Sequence, residues 1–458
     1  MSATTSIASR AVTFILAGGE GQRLYPLTRD RAKPAVPFGG IYRLIDFTVS
    51  NCFNSGLLPV HLLTQYRCES LHSHVQALGP RISPRRNRDE FLHCLSPAPG
   101  KSYRGTADAV FQNLQLIHKS GSEFVVILSG DHVYRMDYRD LLRFHSDSGA
   151  DVTIAGVECP RNAASQFGVL ETDSDGYVVN FQEKPTEPRP ILAKPSRSLV
   201  SMGVYVFNTE ALVDVSSDDA GRNTSHDFGK HIIPRVIHDK TVCVYNFTEL
   251  GTRLGSYWRD VGTVDAYYNA SMELPLGLSF DPYAATDWPL LSSEADLPVR
   301  RRERRRAMSS VRDSVISSGV SLERGSRVVH SIVSPQVRVD RFSDIESSIL
   351  LKGVRVGARS RIRRAIIDEN VCIEDGVEIG YDVSRDRQYG VVTDSGIVVI
   401  PANTHIETCQ TSSPTFSKWR TEAVKTDRVR SQRRDRSVGS TADEIRKSAQ
   451  EGDAVHDR

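Results

Sequence analysis

From about residue 10 to 275, short runs of aliphatic and β-branched residues alternate with longer amphipathic stretches. Ala11–Ala17 (AVTFILA) has the pattern of a buried strand and closes on Gly18-Gly19. Val60–Thr64 is a second strand, after a helical segment at Phe47–Ser55. Phe124–Leu128 is a third, stopping at Ser129-Gly130-Asp131, and Val152–Val157 is a fourth. Strands alternating with helices predict crossover units and an α/β domain with a mostly parallel sheet. Ligands of such sheets sit beyond the carboxyl ends of the strands. Gly18-Gly19 and Asp131 both fall there.

The pattern changes over 276–308, where Pro, Asp and Trp are frequent (SFDPYAATDWPLL) and arginines cluster at Arg300–Arg302 and Arg304–Arg306. This is the composition of a linker between domains. Beyond it the aliphatic positions become strictly periodic. They run Ile316, Leu322, Val328; Val333, Val339, Ile345; Leu350, Val356, Ile362; and Ile367, Ile373, Ile379. The step is six within a triplet and five between triplets, so one turn takes 17 residues. One aliphatic residue every six positions, with Gly and small polar residues between, predicts a left-handed parallel β-helix over 309–407. Each side of its triangular coil points one aliphatic residue inward. Ile400 and Ile406 are candidates to extend it. His330, the one His within the four repeats, is expected to be structural. Residues 408–458 are polar and Arg-rich, a composition that predicts a disordered basic tail.

Composition narrows the class. A chain of 458 residues exceeds one ordinary core. No apolar run approaches the roughly 20 residues that span a bilayer, and the N-terminal MSATTSIASR lacks a secretory core. The seven Cys form no CxxC pair, which argues against a zinc ribbon or disulfide framework. A soluble, cytoplasmic protein is expected. The net charge of +2 favours no partner. Only Trp419 and Phe416 interleave the tail's charges, so nucleic-acid binding is not expected.

The candidate chemistry is concentrated in Leu16-Ala-Gly-Gly-Glu-Gly-Gln-Arg-Leu24 and Arg31-Ala-Lys-Pro34. A glycine turn after a buried strand lets backbone amides approach a phosphate. Glycine spacing alone would also fit a dinucleotide fold. Arg23 and Lys33 add two cations able to converge on a triphosphate.

These segments, with IYRLIDFTVSNCFNSGL, YRGTADAV, LSGDHVYRMDY, ASQFGVL, FQEKP, SMGVYVF, SHDFGKHIIP and YWRDVGTVDAYY, resemble the ADP-glucose pyrophosphorylase (glucose-1-phosphate adenylyltransferase) family over about residues 10–407. The resemblance implies a Rossmann-like nucleotidyltransferase domain at 10–275 followed by the β-helix. It implies that ATP and glucose 1-phosphate give ADP-glucose and pyrophosphate with Mg²⁺, for glycogen- or starch-type glucan synthesis. Gly18, Gly19 and Gly21 would line the nucleotide phosphates. Gly105, Thr106 and Ala107 would lie against the nucleoside. Arg23 and Lys33 would stabilise charge at the α-phosphorus. Asp131 and Asp260 would bind the metal. Tyr103, Gly168, Glu183, Lys184 and Ser201 would hold glucose 1-phosphate. The nucleophile, a phosphate oxygen, is already ionised at neutral pH, so no general base is needed. A homotetramer and a metabolite effector are also implied, with Arg43 and the Arg361, Arg363, Arg364 group as anion binders.

The chain departs from the family in two places. The segment before Tyr103 reads Leu95-Ser-Pro-Ala-Pro-Gly-Lys-Ser102, shorter than the Gln-containing loop that contacts adenine in many members. Asp30 stands where some members carry a basic residue for a sugar-phosphate activator. Three alternatives stay open: the same chemistry with another nucleotide or sugar, a weakly catalytic regulatory subunit of a hetero-oligomer, and an acyltransferase built on the β-helix.

Overall fold

A computed structural model describes residues 6–82, 91–250, 255–277, 280–284, 287–294, 300–301, 304–306 and 309–407. The basic tail at 408–458 lies outside the described residues.

Four adjacent strands of the first domain's sheet run parallel: Leu92–Leu95, Val60–Leu63, Ala11–Leu16 and Phe124–Ser129, in that spatial order. Their runs are apolar without alternation because both faces are covered. Phe14 and Ile127 face one layer, and Ile15 and Leu128 the other. Helices Leu44–Ser55, Cys68–Ile82 and Tyr138–Ser148 cover one side. Helices Thr106–Phe111, Thr209–Ala220 and Ile233–Asp239 cover the other. Three of these four parallel strands are expected ones and carry the strand ends that matter; Leu92–Leu95 is not among those expected. The fourth expected strand, at Val152–Pro160, lies in the other half of the sheet and pairs antiparallel with Arg197–Asn208. A second half is added through the long strand Arg197–Asn208, which runs antiparallel to Phe124–Ser129, Val152–Pro160 and Gly168–Thr172. Val242–Asn246 returns parallel to Val152–Pro160, and Val178–Glu183 closes the edge.

The β-helix stacks its coils at a register of 17: Val328, Ile345, Ile362 and Ile379 pair in line, as do Val339, Val356 and Ile373. All twelve periodic aliphatics belong to its interior core. Ile400 and Ile406 extend it, pairing with Ile367 and Ile373. Between Ile379 and Val398 the chain leaves the coil as a short helix, Val383–Tyr389, and rejoins.

Each corner is a residue in the left-handed region, repeated at the same period. Asp313, His330, Ser347 and Arg364 have φ of 44–47°. Gly319, Gln336, Gly353 and Asn370 form the second column, and Gly325, Phe342, Arg359 and Gly376 the third. A left-handed non-glycine residue costs roughly 1–2 kcal/mol, so seamless stacking must outweigh it many times over. Small polar residues serve the same corners. Ser314, Ser331 and Ser348 each accept the amide of the coil above, at 3.1–3.2 Å.

The coil is entered earlier than residue 309. Arg300–Arg301 and Arg304–Arg306 already pair, antiparallel, with its first strands. Before that, the connection runs along helix Leu44–Ser55. The buried Trp288 donates to Asn51 Oδ1 at 3.0 Å, and Phe280 stacks on Tyr257 at 4.6 Å.

The two domains share a core. The outward residues of one β-helix face, Val315, Ile332, Ile349, Ile366 and Val399, are aliphatic. They are buried against Leu24, Leu27, Val36, Phe38 and Tyr267. The corresponding positions on the other faces are Arg338, Arg355 and Cys372, and Arg327, Asp344 and Arg361. His330 proves structural: its Nε2 meets the carbonyl of Met272 at 3.1 Å, joining a coil corner to helix Val264–Glu273.

Candidate active site

The strand Ala11–Leu16 ends in the glycine turn, and a short 3₁₀ helix, Gln22–Leu24, follows. Gly21 has a φ of 65°, and a Cβ there would come within 2.9 Å of Lys33 Cβ. The glycine is therefore needed twice, for the turn and for the close approach of Lys33. A Cβ on Gly19 would meet nothing within 4 Å, so its face is open. Gly19, Gly21, Arg23 and Lys33 line a cleft above the strand end, and Gly18 packs on Gln65 beside it.

Asp131 follows the strand Phe124–Ser129, adjacent to Ala11–Leu16 in the sheet, so its carboxylate arrives at the same cleft. Lys33 Nζ lies 2.7 Å from Asp131 Oδ2 and 3.7 Å from Asp260 Oδ1. The pairing of Trp258–Asp260 with His132–Tyr134, which sets Asp260 opposite His132, puts the second carboxylate there. Arg259, its neighbour, turns away to Glu273. Ser129 donates to Asp131 Oδ1 at 2.5 Å. Burial alone would raise the Asp131 pKa, but Lys33 and His132 outweigh it and hold the carboxyl well below the ordinary range. Burial likewise opposes the Lys33 charge, and Asp131 with Asp260 more than restores it, so its pKa is raised. Both groups are thus charged across the physiological range.

Among the described residues no cluster of three or more His, Cys, Asp or Glu side chains could enclose a metal. Two carboxylates converging on one cation still suit Mg²⁺, which binds through one or two carboxylates and takes its other ligands from phosphates and water.

A second cavity shares Leu16, Arg23, Lys33 and Asp131 with the first. Its far wall carries Gly168, Glu183, Lys184, Ser201 and Thr106. Ser201 is turned inward where the strand Arg197–Asn208 changes register between Ser201 and Tyr205, with Gly203 at a φ of 65°. Such bulges re-aim side chains beside active sites. Lys184 sits in the left-handed region at φ 51°, an unfavourable geometry for a lysine, and its Nζ meets Glu183 Oε1 at 2.9 Å. A Cβ on Gly168 would fall 2.2 Å from the Phe181 ring, so glycine alone fits there.

Other expected residues line neither cavity. Tyr103 is buried among apolar side chains, its hydroxyl accepting from Asn113 at 3.2 Å. Gly105 approaches the Ser225 and His226 carbonyls so closely that a Cβ would fall 2.1 Å from one of them. The Ala107 amide donates to His226 O at 2.8 Å. The 95–102 loop also lies outside both linings. The anion candidates separate. Arg43 bonds Ala35 O at 2.8 Å and lines a different cleft, between the domains. Arg361 pairs Glu378 at 3.0 Å, Arg361 and Arg363 both stack on Tyr381, and Arg364 donates to Ser395 O at 3.0 Å.

The sequence reading missed several wall residues: His132, Phe167, Tyr205, Asp227 and Trp258. Asp227 accepts from the Thr106 hydroxyl at 3.2 Å and caps the turn at Phe228–Ile232. The Trp258 ring nitrogen is buried with no partner among the described residues. All five lie in segments that carry the family resemblance, yet only the fold brings them to one wall.

Residues 12–275 match the nucleotidyl transferase family, and 298–400 match the GlmU-like, C-terminal hexapeptide family. A protein of Rhodopirellula baltica named glucose-1-phosphate adenylyltransferase is 45% identical over 406 residues, covering 85% of this chain and 90% of its own length. One of an Anaeromyxobacter species with the same name is 43% identical, covering 87% of this chain and 100% of its own length. Glucose-1-phosphate adenylyltransferase 2 of Vibrio cholerae is 41% identical, covering 87% and 99%. Two cavities meet at Lys33, and with these likenesses running through both domains the chain belongs to the nucleotidyl transferases, in the glucose-1-phosphate adenylyltransferase family.

Proposed function

We propose that this protein joins the adenylyl group of ATP to α-D-glucose 1-phosphate, releasing pyrophosphate and forming ADP-glucose for α-glucan synthesis. The observation that carries the reading is the placement of Lys33, with Arg23, at the seam shared by two anion-accepting cavities.

The glycine turn and Arg23 receive the triphosphate in the first cavity. Glu183, Ser201 and Asp227 offer acceptors to sugar hydroxyls in the second, while Lys184 neutralises the sugar phosphate. The phosphate oxygen needs no deprotonation, so the residues have two tasks: holding the anions in line and stabilising the charge that builds at the α-phosphorus. Lys33 is fully charged and fixed at that point. Asp131 and Asp260 would hold Mg²⁺, which when bound supplies charge neutralisation between the phosphates. Trp258 and Phe167 wall the sugar side from water.

The same reading includes a homotetramer and control by a metabolite anion, with the interdomain cleft at Arg43 and the Arg361–Arg364 corner as two separate candidate places. Pyrophosphate release is the test, measured with each of four nucleoside triphosphates and with glucose or mannose 1-phosphate. Turnover on ATP and glucose 1-phosphate above the other pairs is expected. No pyrophosphate from any pair would sink the proposal.

A further inference from the structure

Arg31 lies two residues from Lys33 and is buried, yet it points away from both cavities. Its guanidinium grips the β-helix: Nη1 meets Asp368 Oδ1 at 2.9 Å and Nη2 meets Glu369 Oε2 at 3.0 Å. Asp368 is itself fixed in the coil, its amide donating to Ile400 O at 3.0 Å and its carboxylate accepting from the Glu369 amide at 2.7 Å. The same loop is held at other points. Arg29 donates to Ala402 O at 2.9 Å, again on the β-helix, and Tyr267 donates to Pro37 O at 2.6 Å.

Domain docking does not rest on this ion pair alone. The aliphatic face at Ile332, Ile349 and Ile366 already buries the junction. A buried ion pair is seldom a net gain in stability over apolar packing, because both charges must be desolvated. Its two-pronged geometry supplies something an apolar face lacks, a fixed register. Two residues of chain span at most about 7 Å, so the anchor at Arg31 lies within one short link of Lys33.

We propose that Arg31 is a positioning residue: by clasping Asp368 and Glu369 it uses the β-helix as the frame that sets Lys33 between Asp131 and Asp260. This rests on the reading of Lys33 as the cation at the reacting phosphate. A misplacement on the order of 1 Å at such a centre costs roughly 100-fold in rate.

The test is steady-state kinetics on the full chain carrying Asp368→Asn with Glu369→Gln, and separately Arg31→Lys, which keeps the charge and loses the fork. Each is assayed below its own measured melting midpoint. Tyr268→Phe is the control, since its hydroxyl also bridges the domains, to Ser347 O at 2.6 Å, but is not on the Lys33 loop. We expect kcat to fall by about 10- to 100-fold in both test variants. The KM for glucose 1-phosphate should stay near that of the parent, and Tyr268→Phe should keep parental kcat. If the carboxamide variant fails to fold, Arg31→Lys gives the same reading. Parental kcat in the folded test variants, or an equal loss in Tyr268→Phe, overturns the proposal. Lys33→Ala separates the two failures. Turnover lost there but kept in the test variants refutes only the positioning role; turnover kept there refutes the site reading as well.

Discussion

Asp131 and Lys33 hold each other's charge against burial, so each is expected to be indispensable for a different reason. Asp131→Asn keeps the shape and removes the metal-binding charge. Its kcat should fall by roughly 10²–10³-fold, the usual loss for one charge-stabilising group, with an unchanged circular dichroism spectrum. Retained turnover would refute the assignment. Lys184→Ala should act on the other substrate, raising the KM for glucose 1-phosphate more than that for ATP. His61 gives a prediction about stability. It is 7% exposed and stacks between Phe14 and His93. Burial, and then the neighbouring His93, lowers its pKa from 6.5 to about 4. The unfolded chain therefore binds the extra proton in that window. The contribution of His61 is complete above pH 6.5 and is lost as pH falls toward 4, at most about 3 kcal/mol in all, since solvent screens the exposed part of the ring. Urea denaturation of His61→Leu should show a smaller stability loss between pH 7.5 and 4.5 than the parent (about 2–3 kcal/mol less). An identical pH dependence in both would refute it.

At the scale of elements, the β-helix separates what a repeat encodes from what a junction needs. Its interior ladder was legible because a period of six with a phase slip of one has no helical or sandwich counterpart. The outward ladder Val315, Ile332, Ile349, Ile366 was present at the same period, but an aliphatic residue beside an inward one looks the same whether it faces solvent or a partner domain. Ile349→Ala should cost about 2–5 kcal/mol. Phe342→Ala, at a corner where the ring is 58% exposed, should cost under about 0.5 kcal/mol. Equal effects in guanidinium titrations would mean that the face does not carry the docking. The bulge at Ser201–Tyr205 was likewise hidden. SMGVY fits an ordinary strand with one glycine, and only its partner Val152–Pro160 reveals the slip.

For the whole molecule, the metal and the fold should be separable. Asp131 and Asp260 are satisfied by Lys33 without a metal, so a chelator should abolish turnover and leave the melting midpoint unmoved. A drop in melting midpoint with chelator would contradict this. No helix among the described residues is long and apolar enough to cross a membrane.

The chain by itself determined the two architectures and many of the residues that line the two cavities. Buried parallel strands need uninterrupted apolar runs, coil turns need an aliphatic residue per side, and phosphates need glycine turns with nearby cations. These are local demands, written in neighbouring residues. Tertiary structure alone decided which groups meet. Tyr103, Gly105 and Ala107 lie outside the linings of both cavities, whereas His132, Asp227 and Trp258 stand in the wall. Arg31 was legible only as the first letter of RAKP, because its partners lie some 337 residues away in the β-helix. A side chain's direction and its distant partners follow from how strands and coils stack, and no spacing within a segment encodes that.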